Sequence, residues 1–113
     1  NGMSLNKALE YSKKAYDGAP NNASILDTYA YVLFKNGKTE QADEIISRSI
    51  QQYEMSKLNA PAEVYEHLGM IKEKLGQKDK AIESYKRALE LAGPNASEKV
   101  RNRINASIEK LNK

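Results

Sequence analysis

Three helix-forming segments of the chain carry the same pattern of small side chains. They read NKALEYSKKAYDG, EQADEIISRSIQQ and DKAIESYKRALEL, and the third residue of each is an alanine, at Ala8, Ala42 and Ala81. A second small residue follows seven positions later, at Ala15, Ser49 and Ala88. Residues seven apart lie on one face of an α-helix, so a neighbouring helix can approach closely there. Because the pattern returns after 34 and 39 residues, it predicts stacked copies of one helical unit.

A second pattern lies upstream of the later two segments. The stretches ILDTYAYVLFKNG and VYEHLGMIKEKLG each place a small residue, Ala30 or Gly69, after an apolar one. Both stretches end in a glycine seven positions later, at Gly37 and Gly76. Glycine suits the end of a helix because the residue after the last turn often needs a positive φ. The unit is therefore predicted to be a helix, a short glycine turn and a second helix.

This unit resembles the tetratricopeptide repeat, a family whose 34-residue unit is a pair of antiparallel helices. The resemblance covers nearly the whole chain and is strongest in residues 62–92 and in NKALEYSKKAYDGAPNNA, which begins at residue 6. The chain departs from the family pattern where Leu26 and Tyr65 take the place of the usual tryptophan. The resemblance implies an all-α fold, a right-handed superhelical stack of antiparallel helix pairs in which the spaced small residues are close helix contacts.

These patterns predict six helices, at residues 4–17, 23–36, 39–57, 62–75, 78–92 and 96–111. In a single domain of residues 1–113, they form a half-repeat (4–22), a repeat (23–57), a second repeat (62–93) and a capping helix (96–111). The last helix carries one apolar stripe on a polar surface, at Val100, Ile104, Ile108 and Leu111. Such a stripe is typical of a helix that covers the final apolar face of a repeat stack.

The first predicted helix has no preceding partner, and the chain opens at Asn1-Gly2 without an initiator methionine. We therefore interpret the sequence as a piece of a longer tetratricopeptide repeat protein. The compartment stays open: cytoplasmic, or periplasmic and envelope-associated if the parent is an exported bacterial protein. No apolar run approaches the roughly 18 residues of a membrane span, so we expect no membrane insertion.

Residues that could carry catalysis or hold a metal are scarce in the sequence. There is no cysteine, and the single histidine, His67, has no spaced partners that form a metal set. Gly37 and Gly76 are isolated glycines rather than parts of a phosphate-binding loop. We expect no enzyme activity, no catalytic residue, no metal and no cofactor.

The net charge of +3 arises in the last 18 residues. Residues 1–95 carry 13 Lys/Arg and 13 Asp/Glu, whereas residues 96–113 carry five Lys/Arg and two Asp/Glu. Nucleic-acid-binding proteins concentrate basic side chains on one face. This distribution therefore predicts no nucleic-acid partner.

In the resembled family, the inner flank of the first helix of each repeat lines a concave groove for peptides. If Leu26, Tyr29 and Leu33 pack between helices, helical geometry leaves another flank for the groove. The groove residues predicted in the first full repeat are Asp27, Thr28, Tyr31, Phe34 and Lys35. Those predicted in the next repeat are Glu63, Glu66, His67, Met70, Glu73 and Lys74.

The predicted groove combines apolar anchors with an acidic rim. Tyr31, Phe34 and Met70 are large apolar groups that the fold need not bury, although the two rings could instead complete the core of their helix. Carboxylates at Asp27 and Glu63 would repel the C-terminal carboxylate of a partner. The sequence therefore predicts a non-catalytic protein–protein interaction scaffold for a protein or peptide segment that is apolar with basic flanks.

The alternative is a structural or oligomerisation segment of a longer repeat array, with no ligand of its own. A stripe within residues 4–17 supports it, because the stripe has lost its partner helix and is expected to seek another. Its residues are Leu5, Ala8, Leu9, Ser12 and Ala15. Under this alternative we expect self-association through residues 4–17, which sedimentation at several concentrations would detect.

Overall fold

The computed structural model describes residues 4–113 and contains six α-helices over that range. They are α1 (Leu5–Gly18), α2 (Ala23–Lys35), α3 (Thr39–Met55), α4 (Ala62–Lys74), α5 (Lys78–Ala92) and α6 (Glu98–Leu111). No strand occurs in this part of the chain, which confirms the predicted all-α fold. Each helix begins and ends within two residues of its predicted limits. Within residues 4–113 no helix is long and apolar enough to cross a membrane.

The chain divides into two compact units, Asn1–Leu58 and Asn59–Lys113. The first unit, described from residue 4, contains α1, α2 and α3, and the second contains α4, α5 and α6. The boundary falls in the segment where the repeat spacing lengthens from 34 to 39 residues. The single-domain organisation over residues 1–113 stays a prediction.

In the first unit, α2 and α3 form an antiparallel pair closed by a glycine turn. Gly37 adopts a φ of 80°, the left-handed conformation that glycine tolerates. Leu26, Ala30 and Ile46 are fully buried. The Ser49 hydroxyl donates to the Ala23 carbonyl at 2.7 Å, so this small side chain lets α3 contact the backbone of α2 directly.

The helix α1 packs on α2 through the side that carries Ser12 and Tyr16. Ser12 is buried, and the rings of Tyr16 and Tyr29 stack with their centroids 4.9 Å apart. Arg48 of α3 lies over the Tyr16 ring and donates to its hydroxyl at 2.7 Å. Arg48 also donates to the Pro20 carbonyl at 2.9 Å, which ties the turn after α1 to α3.

In the second unit, α4 and α5 approach closely where Gly69 meets Tyr85. A Cβ added to Gly69 would lie 2.7 Å from the Tyr85 ring, so the contact requires glycine. Ala81 and Ala88 are fully buried, as expected of close helix contacts. Ser84, which the sequence predicts to lie on the outer side of α5, is also buried. The helix α5 packs against both α4 and α6, and the Ser84 hydroxyl donates to the Lys80 carbonyl of its own helix at 2.8 Å.

The helix α6 packs against α5 with its predicted apolar stripe. The buried cluster contains Ala81, Tyr85, Ala88 and Ile104, with Val100, Ile108 and Leu111 packed against it. The helix begins at Glu98, two residues later than predicted. The cause is Ser97, whose side chain accepts a hydrogen bond from the Val100 N–H at 3.2 Å and caps the helix.

Candidate functional site

Two aromatic rings lie side by side on one flank of α2. The centroids of Tyr31 and Phe34 are 6.5 Å apart, and their planes are tilted by 31°. Both side chains are half-buried, and Lys35 Nζ lies 5.8 Å from the Tyr31 ring centroid. Thr28 and Lys35 are exposed on the same flank. One helical turn separates the two rings, so they form one apolar patch with polar neighbours.

Asp27 differs from the other predicted groove residues of α2, because it is only 7% exposed. Both α1 and α3 pack against α2. The sequence predicts that Asp27 lies on an exposed acidic rim. Its burial gives it a smaller part in attracting a charged partner than the sequence suggests.

The remaining predicted groove residues lie on α4. Glu63 and Lys74, near the two ends of the helix, are exposed. The four between them are half-buried: Glu66, His67, Met70 and Glu73. Met70 packs against the buried cluster of Tyr85 and its neighbours, so part of its side chain completes the core of the second unit.

Two of the α4 carboxylates are bound by cations of α6. Arg103 donates to Glu66 through Nε at 2.7 Å and through Nη2 at 2.8 Å, a bidentate pair. Lys110 Nζ lies 3.1 Å from Glu73 Oε2. The two glutamates are seven residues apart, as are the two cations, so the pairs lie two turns apart on helices that run in the same direction. These pairs were not predicted from the sequence. The signal that could have indicated them is the seven-residue spacing that the two glutamates share with the two cations.

Tyr85 of α5 joins the same polar network. Its hydroxyl donates to Glu73 Oε1 at 3.0 Å. Burial raises the pKa of Tyr85 well above its usual range, and the hydrogen bond and negative charge of Glu73 raise it further. The phenol is therefore a protonated donor at neutral pH, and Glu73 accepts hydrogen bonds from both α5 and α6.

Comparison with known proteins identifies the repeat. The family model for the tetratricopeptide repeat matches residues 21–93. The chain belongs to the tetratricopeptide repeat family. A relative, the protein CTR9 homolog of Arabidopsis thaliana, is 32% identical over 87 residues, which are 77% of this chain. This chain spans 8% of the length of that protein.

Solved tetratricopeptide repeat structures resemble nearly the whole chain. The Arabidopsis OM64 TPR domain gives a TM-score of 0.75 at 19% identity, covering 95% of this chain and 79% of that chain. TTC0263, a TPR protein of Thermus thermophilus, gives 0.73 at 21% identity, covering 93% and 50%. The TPR2AB-domain–pHSP90 complex of yeast Sti1 gives 0.72 at 18% identity, covering 96% and 41%. At these identities the likeness shows the fold alone, an all-α solenoid of tetratricopeptide repeats.

Tetratricopeptide repeat proteins are generally non-catalytic scaffolds for protein–protein interaction, and this chain has their fold. Within it, Tyr31 and Phe34 lie together on α2, whereas Glu66 and Glu73 are engaged by α6. The peptide groove itself stays a prediction.

Proposed function

We propose that this tetratricopeptide repeat chain binds an extended segment of another protein through the inner flank of α2 in the first unit, and we assign a second, separate contact surface to the inner flank of α4 in the second unit. The patch formed by Tyr31 and Phe34 carries the proposal, because it presents two half-buried rings on a flank that also holds exposed Thr28 and Lys35. A few residues that become fully desolvated in the complex, tyrosine among the most frequent, supply most of the binding energy of protein interfaces. Met70 adds a smaller apolar surface on α4.

The charge preference of the proposed site rests on carboxylates that stay exposed. Arg103 and Lys110 already pair with Glu66 and Glu73, whereas Glu63 at the start of α4 is exposed. We therefore expect an apolar segment with Lys or Arg in its flanks, selected more by Glu63 than by the two paired glutamates. Salt screens interactions between exposed charges, so the affinity should weaken as ionic strength rises.

A displayed peptide library tests the proposal. We expect it to enrich apolar residues beside Lys or Arg. Tyr31→Ala should lower the affinity for an enriched peptide at least about tenfold, the loss expected of a binding hot spot. Tyr11→Ala is the matched control, because Tyr11 is an exposed tyrosine of α1 outside the proposed site, and its affinity should equal that of the wild type.

Thermal unfolding separates a lost anchor from a lost fold. Tyr31 is half-buried, so its removal should lower stability far less than Leu26→Ala, a core truncation of roughly 2–5 kcal/mol. If Tyr31→Ala destabilises the protein as much as Leu26→Ala, the ring belongs to the core and the groove is misplaced. If the library yields no binder to the wild type, peptide binding is not the function of this chain.

A structural segment without a ligand of its own is the second candidate. Leu5 and Tyr11 of α1 favour it, because they are 52% and 56% exposed. Sedimentation velocity over a range of concentrations would reveal self-association through residues 4–17. Tyr11→Glu is the suitable variant, since Leu9 is half-buried and a charge there would also disturb the fold. Self-association that persists in Tyr11→Glu would exclude this surface.

A further inference from the structure

The turn between α2 and α3 contains an asparagine followed by a glycine, Asn36-Gly37. The amide carbon of an asparagine side chain is open to attack by the backbone nitrogen of the next residue, and glycine hinders this attack least because it has no Cβ. The sequence holds one other such dipeptide, Asn1-Gly2, which lies outside the described residues. Asn36 is therefore the described asparagine whose sequence most favours this attack.

The backbone of this turn does not require an asparagine. Leu75 takes the same place in the turn between α4 and α5, with a φ of −80° and a ψ of 0°, against −90° and 8° at Asn36. Each of the two residues precedes a glycine of positive φ, Gly76 or Gly37. Leucine and asparagine thus serve the same turn, so the side chain of Asn36 has a role of its own.

The Asn36 side chain joins the end of α2 to the start of α1. Its Nδ2 donates to the Val32 carbonyl at 2.8 Å and to the Leu5 carbonyl at 3.3 Å. Asn36 is half-buried, and the Leu5 carbonyl belongs to the first turn of α1. A carboxylate accepts hydrogen bonds and cannot donate them. An aspartate at position 36 would therefore lose both bonds and bring its negative charge close to two carbonyl oxygens.

The same hydrogen bonds hold the amide in an unreactive arrangement. The bond to Val32 directs the side chain back along α2, and the Gly37 N–H donates to the Phe34 carbonyl at 3.0 Å. Attack of the Gly37 nitrogen on Asn36 Cγ requires both bonds to open. A reaction that needs local opening proceeds in proportion to the opened population when opening and closing are fast. Its rate therefore measures how firmly this turn is held.

Docking of α1 limits that opening. The helix supplies the Leu5 carbonyl to the Asn36 amide, and Tyr16 holds the helix in place. The Tyr16 ring stacks on Tyr29 with centroids 4.9 Å apart, and its hydroxyl accepts from Arg48 at 2.7 Å. When α1 leaves α2, the Asn36 amide loses one of its two acceptors, so the turn opens more often.

We propose that Asn36 is a self-modification site that reacts when α1 leaves α2 and then keeps α1 from docking again. Hydroxide removes the Gly37 N–H proton, the nitrogen forms a bond to Asn36 Cγ, and the bond from Cγ to Nδ2 breaks. The leaving group takes a proton from water and departs as ammonia. A second water then opens the cyclic imide at one of its two carbonyl carbons, which gives aspartate or isoaspartate.

Both products weaken the contact that the amide made. Aspartate repels the carbonyl oxygens of Leu5 and Val32, which the amide had bound. Isoaspartate also adds a methylene group to the main chain just before Lys38, whose N–H donates to the Leu33 carbonyl at 2.9 Å. Ammonia is lost to solvent, so the modification persists after α1 has been displaced. This site does not depend on peptide binding at Tyr31.

Peptide mapping by mass spectrometry after incubation in mildly alkaline buffer measures the reaction. Labelling by an isoaspartyl methyltransferase measures the isoaspartate product. We expect Asn36 to react at least about tenfold more slowly in the folded protein than in a free peptide of residues 31–41, because the reactive state is a minor, opened one. Equal rates in the protein and the peptide would overturn protection by the fold.

A variant of α1 tests whether docking of this helix controls the rate. Tyr16→Ala removes the aromatic stack and the acceptor of Arg48, so Asn36 should react roughly tenfold faster. Tyr11→Ala removes an exposed tyrosine of the same helix and should leave the rate unchanged. Leu75→Asn introduces the same dipeptide in the turn of the second unit as an internal reference. An unchanged rate at Asn36, or equal acceleration at both dipeptides, overturns control by α1.

Hydrogen exchange of Asn36→Asp tests the consequence without any reaction. Amide exchange should become roughly tenfold faster in residues 5–18 and stay unchanged in residues 62–111. Asn36→Ala removes the donor without adding a charge and should accelerate exchange less. Unchanged exchange of α1 in Asn36→Asp overturns the proposed release, and this result stands even if Tyr16→Ala does not fold. Equal acceleration in the two variants overturns the part assigned to repulsion.

Discussion

The helices α1 and α6 are each 14 residues long and each packs against one helix pair, but their own units cover them to different extents. The helix α6 places Ile104 in a buried cluster and sends Arg103 and Lys110 to the carboxylates of α4. The helix α1 buries Ser12 beside the stacked rings of Tyr16 and Tyr29. The face of α1 that carries Ala8, Tyr11 and Ala15 is half-buried or exposed, so α1 contributes fewer buried side chains to the core of its unit.

The difference shows that the repeat pattern specifies contact surfaces rather than burial. Ala15 and Ala88 occupy the same repeat position, yet Ala15 is exposed and Ala88 is fully buried. The residue type is identical, so the neighbouring helix decides whether the position belongs to a core or to a surface. A small residue on a repeat helix therefore predicts that a helix fits there, and the structure determines whether one is present in the same unit.

Removal of a terminal helix should give the largest effect and tests the comparison directly. Deletion of residues 96–113 exposes Ala81, Tyr85 and Ala88 and removes Ile104, whose burial alone contributes roughly 1.5–3 kcal/mol. Domain stabilities are only about 5–15 kcal/mol, so we expect the second unit to melt early or aggregate. Deletion of residues 1–22 should lower the thermal midpoint less. Equal losses would contradict the view that α6 contributes more to its unit than α1.

Enlarging the equivalent alanines should separate the two helix faces. Ala88→Leu forces extra methylene groups into a full contact and should cost roughly 1–3 kcal/mol in denaturant unfolding. Ala15→Leu should change stability by less than about 0.5 kcal/mol, because the side chain extends into solvent. Lys86→Leu, on the exposed side of α5, controls for the effect of adding leucine to that helix. A large loss in Ala15→Leu would mean that its face is covered in solution.

The same contrast extends to two helical glycines. A Cβ at Gly69 would collide with the Tyr85 ring, whereas a Cβ at Gly18 would meet no atom within 4 Å. Alanine favours a helix over glycine by up to about 1 kcal/mol, so Gly18→Ala should be neutral or slightly stabilising. Gly69→Ala should be destabilising by about 1–2 kcal/mol despite that gain, because overpacking outweighs it. Stabilisation by Gly69→Ala would show that Tyr85 can move aside.

The fold was predictable from the periodicity because residues in or next to each helix determine where that helix begins and ends. The glycines Gly37 and Gly76 end helices with φ of 80° and 78°, and the seven-residue spacing of small side chains marks the close contacts. The least accurate limits, at the end of α3 and the start of α6, depend on a non-repeating segment and on the choice of Ser97 as the cap.

The candidate site was less predictable because it depends on which helices pack together. Asp27 and Ser84 were predicted to be exposed, and both are buried. The ion pair between Glu66 and Arg103 joins residues 37 positions apart, and the matched seven-residue spacing of the glutamates and the cations is its one signal in the sequence. Tyr31 and Phe34 were predictable as neighbours because one helical turn joins them.

The smallest expected effect concerns that ion pair, and it tests whether α6 is held by charge as well as by apolar contact. Glu66 is 14% exposed and Arg103 51%, so solvent screens the pair in part, while its bidentate geometry favours a measurable coupling. A double-mutant cycle with Glu66→Gln and Arg103→Gln should give a coupling energy of about 0.5–1 kcal/mol in denaturant unfolding at low salt. High salt should reduce this coupling.

The exposed pair of Lys13 and Asp17 on α1 supplies the matched cycle, and its coupling should be smaller because both partners are more than half exposed. If the two cycles give the same value, the cations of α6 add nothing specific, and the difference between α6 and α1 rests on apolar burial alone.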